Sequence, residues 1–224
     1  FELAQAAETS GAALLFEAAV CAGTPILQTM RDGLSANRID RIEGILNGTS
    51  NYILSAMERS GEDFGETLAE AQRLGYAEAD PALDVDGGDA AHKLAILAAL
   101  GFGLRPDFAG VEVNGIRDVR AADIAQAERL GYKIRLVAMA DMVDRPGEAP
   151  ALLQRVRPCL LPADHLLAGI DGPTNAVLTL GDQSGPILIQ GAGAGSAATA
   201  SGIVADVVAL ARGQARAPLA VPAG

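Results

Sequence analysis

Apolar and polar positions along this chain follow two periods, helical and alternating, and the switches between them outline its elements. Residues 2–10 (ELAQAAETS) carry apolar positions at helical spacing and stop at Gly11. Ala12–Val20 (AALLFEAAV) is apolar over a strand's length, interrupted only by Glu17, and predicts a buried strand before a turn at Cys21–Pro25. Ile26–Leu34 predicts a brief helix with Gly33 near its end. Arg38–Leu46 (RIDRIEGIL) alternates charged and apolar residues, as a half-buried strand does. Asn47–Asn51 reads as a turn whose Thr49 or Ser50 caps a helix over Tyr52–Arg59. Asp63–Leu74 is an amphipathic helix with Phe64, Leu68 and Leu74 turned inward.

Leu94–Leu100 is apolar on every face and predicts a helix buried all round, with Asp86 or Asp89 capping its start after Gly87-Gly88. Phe102–Val119 reads as a loop with a weak extended stretch at Val111–Val113. A helix over Ala121–Gly131 follows. Strands are predicted at Tyr132–Met142 and Ala151–Leu161, then a hairpin of Asn175–Gly181 and Gly185–Gln190 through Asp182-Gln183-Ser184. With 38–46 these strands make one mixed, mainly antiparallel sheet covered by helices on one face, an α+β (α/β) architecture. A sheet face left bare by the helices suits a homodimer. The loop Gly191–Ser196 then opens a helix over Ala197–Arg212.

Chemistry concentrates between residues 71 and 100. Glu78, Asp80, Asp84, Asp86 and Asp89 fall within twelve residues, and the only nearby cation in the sequence is Lys93. Asp89 and Lys93 stand four apart, which an ordinary helix pair worth about 0.2–0.5 kcal/mol also explains. The acids, however, share their loop with Gly75, Pro81, Gly87 and Gly88, more backbone punctuation than a solvated acidic run needs. Asp80 before Pro81 reads as fixing the turn. Glu17 has two readings: a core acid bonded to backbone N–H groups, or a cation ligand beside the carbonyls of the following turn. Asn47-Gly48-Thr49 is either a plain strand–turn–helix cap or a helix start lining a ligand site. The loop at 191–196 lacks the full G-x-G-x-x-G because Ser196 holds the last position, so it cannot be the main dinucleotide cradle. His92 and His165 have no Ser or Cys partner at a triad-like position and read as ordinary histidines.

Composition narrows the class. The 224 residues are 50% hydrophobic with a net charge of −11 and a pI near 4.6, which argues against a nucleic-acid partner. No apolar run reaches 18 residues, so no membrane span or membrane partner is expected. Cys21 and Cys159 are too few for a disulfide framework or a zinc site, which makes the cytoplasm the default. With no Trp and 4% aromatic residues, the core must be aliphatic and Ala-rich. Phe1 stands in place of an initiator Met, and the chain reads as a fragment.

From Ala71 to Lys93 the chain fills every fixed position of A-x3-G-Y-x3-D-P-x2-D-V-x-G-x-D-x3-K, which resembles the signature of homoserine dehydrogenases. FEAAVCAGTPI, the Asn47-Gly48-Thr49 turn and the Gly191–Gly195 loop are similar to further segments of that family, so the resemblance spans about Leu14 to Arg212. It implies NAD(P)-dependent interconversion of L-homoserine and L-aspartate 4-semialdehyde, in threonine, methionine and isoleucine biosynthesis. Lys93 would then move the hydroxyl proton from its partly desolvated position, with Asp89 orienting it. Glu78 and Asp84 would clamp the substrate ammonium, and Asn47, Gly48 and Thr49 would line the substrate site. Gly75, Gly193 and Gly195 would approach the cofactor. A monovalent cation, Na+ or K+, would sit on Glu17 and carbonyls of Val20, Ala22 and Thr24. The implied organisation is the end of a dinucleotide-binding domain (1–24), a substrate-binding and dimerisation domain (25–190), and a glycine loop and helix packing back on the first (191–224). The nucleotide half with its glycine fingerprint is missing. The competing readings are a non-catalytic amino-acid-binding or assembly module of the same fold, and another amino-acid dehydrogenase.

Overall fold

A computed structural model describes residues 2–143, 146–147, 149–214 and 219; Phe1 and the rest of the predicted 191–224 segment beyond Gln214, save residue 219, lie outside the described residues. Six strands form one sheet in the order β2-β4-β3-β1-β5-β6. They are β1 (Ile39–Ile45), β2 (Val111–Val113), β3 (Tyr132–Val143), β4 (Ala151–Pro162), β5 (Thr174–Gly181) and β6 (Gly185–Ala192). Every pairing is antiparallel except the edge pair β2–β4. The extended stretch at 111–113 is therefore a sixth strand, held parallel on the edge by three residue pairs.

Nine helical segments accompany the sheet among the described residues: α1 (Glu2–Ser10), α2 (Ala18–Cys21), α3 (Ile26–Gln28), α4 (Gly48–Ser60), α5 (Phe64–Arg73), α6 (Ala82–Val85), α7 (Gly88–Phe102), α8 (Ala121–Arg129) and α9 (Ser196–Ala211). α3 runs on as a π-helical turn over Thr29–Gly33. The helix predicted to be buried all round is α7. Its Ala90, Leu94, Leu97 and Ala98 pack on Ile42, Leu136 and Ala138 of the sheet in the main core. Small alanines between leucines let this helix lie close to the strands. No helix among the described residues is long and apolar enough to cross a membrane.

Four local expectations are corrected. The run 12–20 is not a strand: residues 12–16 are irregular and α2 follows, because its apolar residues pack between α7 and α9 rather than on a strand partner. α4 starts four residues early, at Gly48, since Asn47 rather than Thr49 or Ser50 is its cap and accepts the Ser50 N–H at 2.8 Å. Neither Asp86 nor Asp89 caps α7. Its start follows Gly87, whose φ of +87° a side chain would strain, and Asp86 instead pairs with Arg117. Lys93 is thus not the sole cation among the clustered acids.

The sheet's second face is not wholly bare either. Leu167, Ala168 and Ile170 of the 163–171 turn cluster with Val137, Ile45 and Ala176 there, while Met139, Leu178 and Leu188 stay half-buried. Arg135, 0% exposed, is held by Glu58 at 2.8 Å, Asp171 at 2.6 Å and the Ile170 carbonyl at 3.2 Å. With the Ile134 carbonyl at 3.0 Å, four acceptors make burial of that guanidinium tolerable.

Candidate active site

Three chain reversals meet at one cleft of about 890 Å3: β1 into α4, α6 into α7, and β6 into α9. Asn47, Gly48 and Thr49 come from the first. Glu78, Asp84, Asp89 and Lys93, with Gly75 before them, come from the acidic segment. Gly193 and Gly195 come from the third. Residues as distant along the chain as Asn47 and Gly195, predicted for substrate, catalysis and cofactor, are thereby brought together.

Hydrogen bonds fix the floor. Lys93 Nζ donates to Asp89 Oδ2 at 2.7 Å and to the Leu46 carbonyl at 3.0 Å. An ammonium has three donors, so one N–H of Lys93 is left over for a ligand. Asn47 is a hub: its Nδ2 donates to Asp84 Oδ1 at 2.7 Å and Asp89 Oδ2 at 2.9 Å, while its Oδ1 caps α4. One amide thereby holds two like-charged carboxylates at set positions. Ser50 Oγ donates to the Asp84 carbonyl at 2.9 Å and Thr49 Oγ1 to the Tyr76 carbonyl at 3.0 Å, stitching the first turn to the acidic segment. Asp80 accepts the Ala82 N–H at 3.2 Å and holds the turn before α6, as its place before Pro81 suggests.

Charge follows from this arrangement. Three carboxylates (Glu78, Asp84, Asp89) face one ammonium, which leaves the cleft with two net negative charges. Such a cleft favours a ligand carrying a cationic group. Glu78 is exposed at the mouth, beside Tyr76, which stacks on Tyr52 at 4.2 Å between centroids. Tyr76, Thr174 and Gln190 also line the cleft and were not singled out in the sequence. Tyr76 belongs to the Gly75-Tyr76 pair of the motif, so a signal was there. Thr174 and Gln190 are brought in only by the β5–β6 pairing.

Glu17, Val20 and Ala22 lie outside the cleft, and Thr24 borders it beneath Gly191, where an added Cβ would sit 2.5 Å from Thr24 Oγ1. Both oxygens of the Glu17 carboxylate accept backbone N–H groups, from Leu27 and Gln28, each at 2.8 Å. Burial pushes this carboxyl above its ordinary value, against the opposing pull of those two bonds. Cys21, 0% exposed behind the cleft, has its thiol pushed up to about 11 by burial, which makes it inert as a nucleophile. His165 accepts the Leu167 N–H, and His92 meets Phe108 edge-on; neither lines the cleft.

Fold and site together define a class: an α/β domain that carries a lysine–carboxylate centre for a small charged ligand, closed on one side by a glycine loop. Residues 25–208 match the homoserine dehydrogenase family profile, and the chain belongs to that family. It is 52% identical over 208 residues to a homoserine dehydrogenase of Synechocystis sp., covering 92% of this chain and 48% of that one. The crystal structure of a homoserine dehydrogenase from Thiobacillus denitrificans superposes with a TM-score of 0.91 at 48% identity, covering 94% of this chain and 48% of that one. A hyperthermophilic archaeal homoserine dehydrogenase matches at a TM-score of 0.79 and 31% identity, over 95% of this chain and 60% of that one. The chain spans about half the length of the curated relatives it matches.

Proposed function

We propose that this chain is the substrate-binding and catalytic part of a homoserine dehydrogenase, which interconverts L-homoserine and L-aspartate 4-semialdehyde with NAD(P) in the cytoplasm. The observation that carries the reading is the Lys93–Asp89 pair, 2.7 Å long, at the base of a cleft that also holds Asp84 and Glu78. A zwitterionic alcohol fits it. Its ammonium is drawn to Glu78 and Asp84, and its reacting oxygen meets Lys93 Nζ. Asp89 and the Leu46 carbonyl fix the lysine. In reduction the aldehyde oxygen takes the remaining proton of the Nζ ammonium as hydride reaches its carbon. In oxidation the neutral amine takes the hydroxyl proton back as the carbinol hydrogen departs as hydride. A nicotinamide supplies the hydride acceptor. A binding module alone would have no use for so firmly anchored a lysine.

The cofactor contacts of this chain are limited to an edge. Ala194 and Gly195 are exposed at the cleft rim, where bare backbone suits a flat ring, and no complete G-x-G-x-x-G is present to cradle a pyrophosphate. The archaeal relative was solved in complex with NADPH. Segments 1–24 and 191–224 would pack against a dinucleotide-binding half. Support comes from Leu3 (75% exposed) and from Ile203, Val204 and Val207 on α9, apolar residues left on the surface. A homodimer would cover the half-buried Met139, Leu178 and Leu188 of the sheet.

The cation proposal rests on the turn. Ala22 holds φ +46° without being glycine, a strained conformation that a function can explain by directing carbonyls. Na+ or K+ would take the carbonyls of Val20, Ala22 and Thr24, with Glu17 supplying the charge. The activity itself is tested in the full-length protein by following reduced nicotinamide absorbance on adding L-homoserine and NAD(P)+. No homoserine-dependent reduction with either cofactor would overturn the assignment.

A further inference from the structure

Asn175, the second residue of β5, is 1% exposed; it touches two of the three reversals that build the cleft and reaches Lys93 of the remaining one through a shared oxygen. Its Nδ2 donates to the Leu46 carbonyl at 3.0 Å, the same oxygen that accepts Lys93 Nζ at 3.0 Å. A carbonyl has two lone pairs, so it serves both donors at once. On the other side the glycine loop rests directly on the amide: a Cβ at Gly193 would fall 2.0 Å from Asn175 Cγ. A Cβ at Gly48, in the first turn of α4, would lie 3.5 Å from its Oδ1.

That Oδ1 is buried and has no hydrogen-bond partner among the described residues. A flipped amide does not relieve this, because it would set oxygen against the Leu46 carbonyl. A buried oxygen without a donor destabilises the fold, since it gives up water and gains no bond. An apolar side chain of the same shape would avoid that cost, so packing alone does not account for an amide here. What the amide adds is the N–H that holds Leu46.

We propose that Asn175 is a positioning residue: by holding the Leu46 carbonyl it sets Lys93 Nζ in register with the Gly191–Gly195 loop. The inference rests on Lys93 as the proton-transfer group. Displacement of such a group by about 1 Å is enough to cost roughly 100-fold in rate. Among the described residues Asn175 has no hydrogen bond to Glu78 or Asp84, so substrate capture is left alone.

The test uses the full-length enzyme with Asn175→Leu, which removes the N–H and the unpartnered oxygen together. The expected result is kcat lowered about 10–100-fold with KM for homoserine within about 3-fold and little change in melting temperature. Asn175→Asp, of the same shape without the donor, should show the same split, and covers the case in which the leucine variant does not fold. Lys93→Met and the pair Lys93→Met/Asn175→Leu complete a cycle. If Asn175 acts through Lys93, the pair is no slower than Lys93→Met alone. Wild-type kcat in both Asn175 variants, or a further independent loss in the pair, overturns the positioning role while leaving the function standing. Normal turnover by Lys93→Met overturns the proposed mechanism and this inference with it.

Discussion

Lys93→Met separates chemistry from architecture at the centre of the cleft. Methionine keeps an unbranched chain of similar reach along the apolar face of α7 and removes the ammonium. Two oxygens lose a donor, yet neither is orphaned. The Leu46 carbonyl keeps Asn175 Nδ2 at 3.0 Å, and Asp89 Oδ2 keeps Asn47 Nδ2 at 2.9 Å. The Lys93 and Asp89 side chains are 17% and 25% exposed, so water partly screens what remains. The stability lost is therefore that of one charge-assisted bond in a wet cleft, about 1–2 kcal/mol. For a domain of this size that lowers the melting temperature by about 2–8 °C, and the protein stays folded at assay temperature. Turnover of homoserine should fall by about 10²–10⁴-fold, the contribution of one positioned acid–base group. Initial rates and melting curves on the same full-length preparation decide the matter. A kcat within about 10-fold of wild type would refute the role in proton transfer. A collapse in melting temperature far beyond about 8 °C would show that the lysine is structural and that the count of surviving donors is wrong.

Glu78→Gln should raise KM for homoserine more than it lowers kcat, because the exposed carboxylate at the mouth attracts the ammonium without touching the reacting carbon; a fall in kcat at constant KM would place Glu78 in the chemistry. Glu58 is pushed up by burial, but bonds from Lys133 (2.7 Å) and Arg135 outweigh this and hold it below its ordinary value of 4.5. Its folded value is the lower one, so its stabilisation is complete above 4.5 and is lost as pH falls through the folded value; Glu58→Gln should flatten the acid side of the melting-temperature profile, and an unchanged slope would remove Glu58 as its source. The 224-residue chain alone should show no NAD(P) binding by calorimetry at millimolar cofactor, since it lacks a pyrophosphate cradle, while light scattering reports a dimer; micromolar binding or a monomer would each refute its half. Replacing sodium or potassium chloride by choline chloride should lower the melting temperature, and identical curves would remove the Glu17 cation site.

Features encoded by spacing were legible, and those decided by a distant partner were not. The two-residue period of 38–46 and the Asp182-Gln183-Ser184 turn locate β1 and the β5–β6 hairpin to within two residues. The all-apolar stretch of α7 reads correctly because a helix buried on every side needs no stripe. The run 12–20 reads as a strand by the same logic, but a short apolar run fits a buried helix equally well. What decides it is the pair α7 and α9, the latter more than 170 residues later. β2 shows locally as an extended stretch at 111–113, but its parallel pairing with β4 has no local signal.

The site divides along the same line. Asp89 and Lys93 are one helical turn apart, so their pair is written in the i,i+4 spacing and appears at 2.7 Å. The turn that holds Asn47 is visible, but its cap reads as Thr49 or Ser50, and the grip of Asn47 on Asp84 and Asp89, 37 and 42 residues on, leaves no local signal. Arg117 was invisible as a partner for Asp86 for the same reason, 31 residues away. These long-range bonds give the acids different roles. Asp80 holds a turn, Asp86 is neutralised by arginine, Asp84 and Asp89 are fixed by one amide, and Glu78 is exposed at the mouth with no side-chain bond among the described residues. A cluster that looks uniform along the chain is thus graded across the cleft from acids held by partners to an exposed one. Such grading lets one lysine keep a single fixed carboxylate partner while unspent negative charge would remain for the ammonium of the proposed substrate.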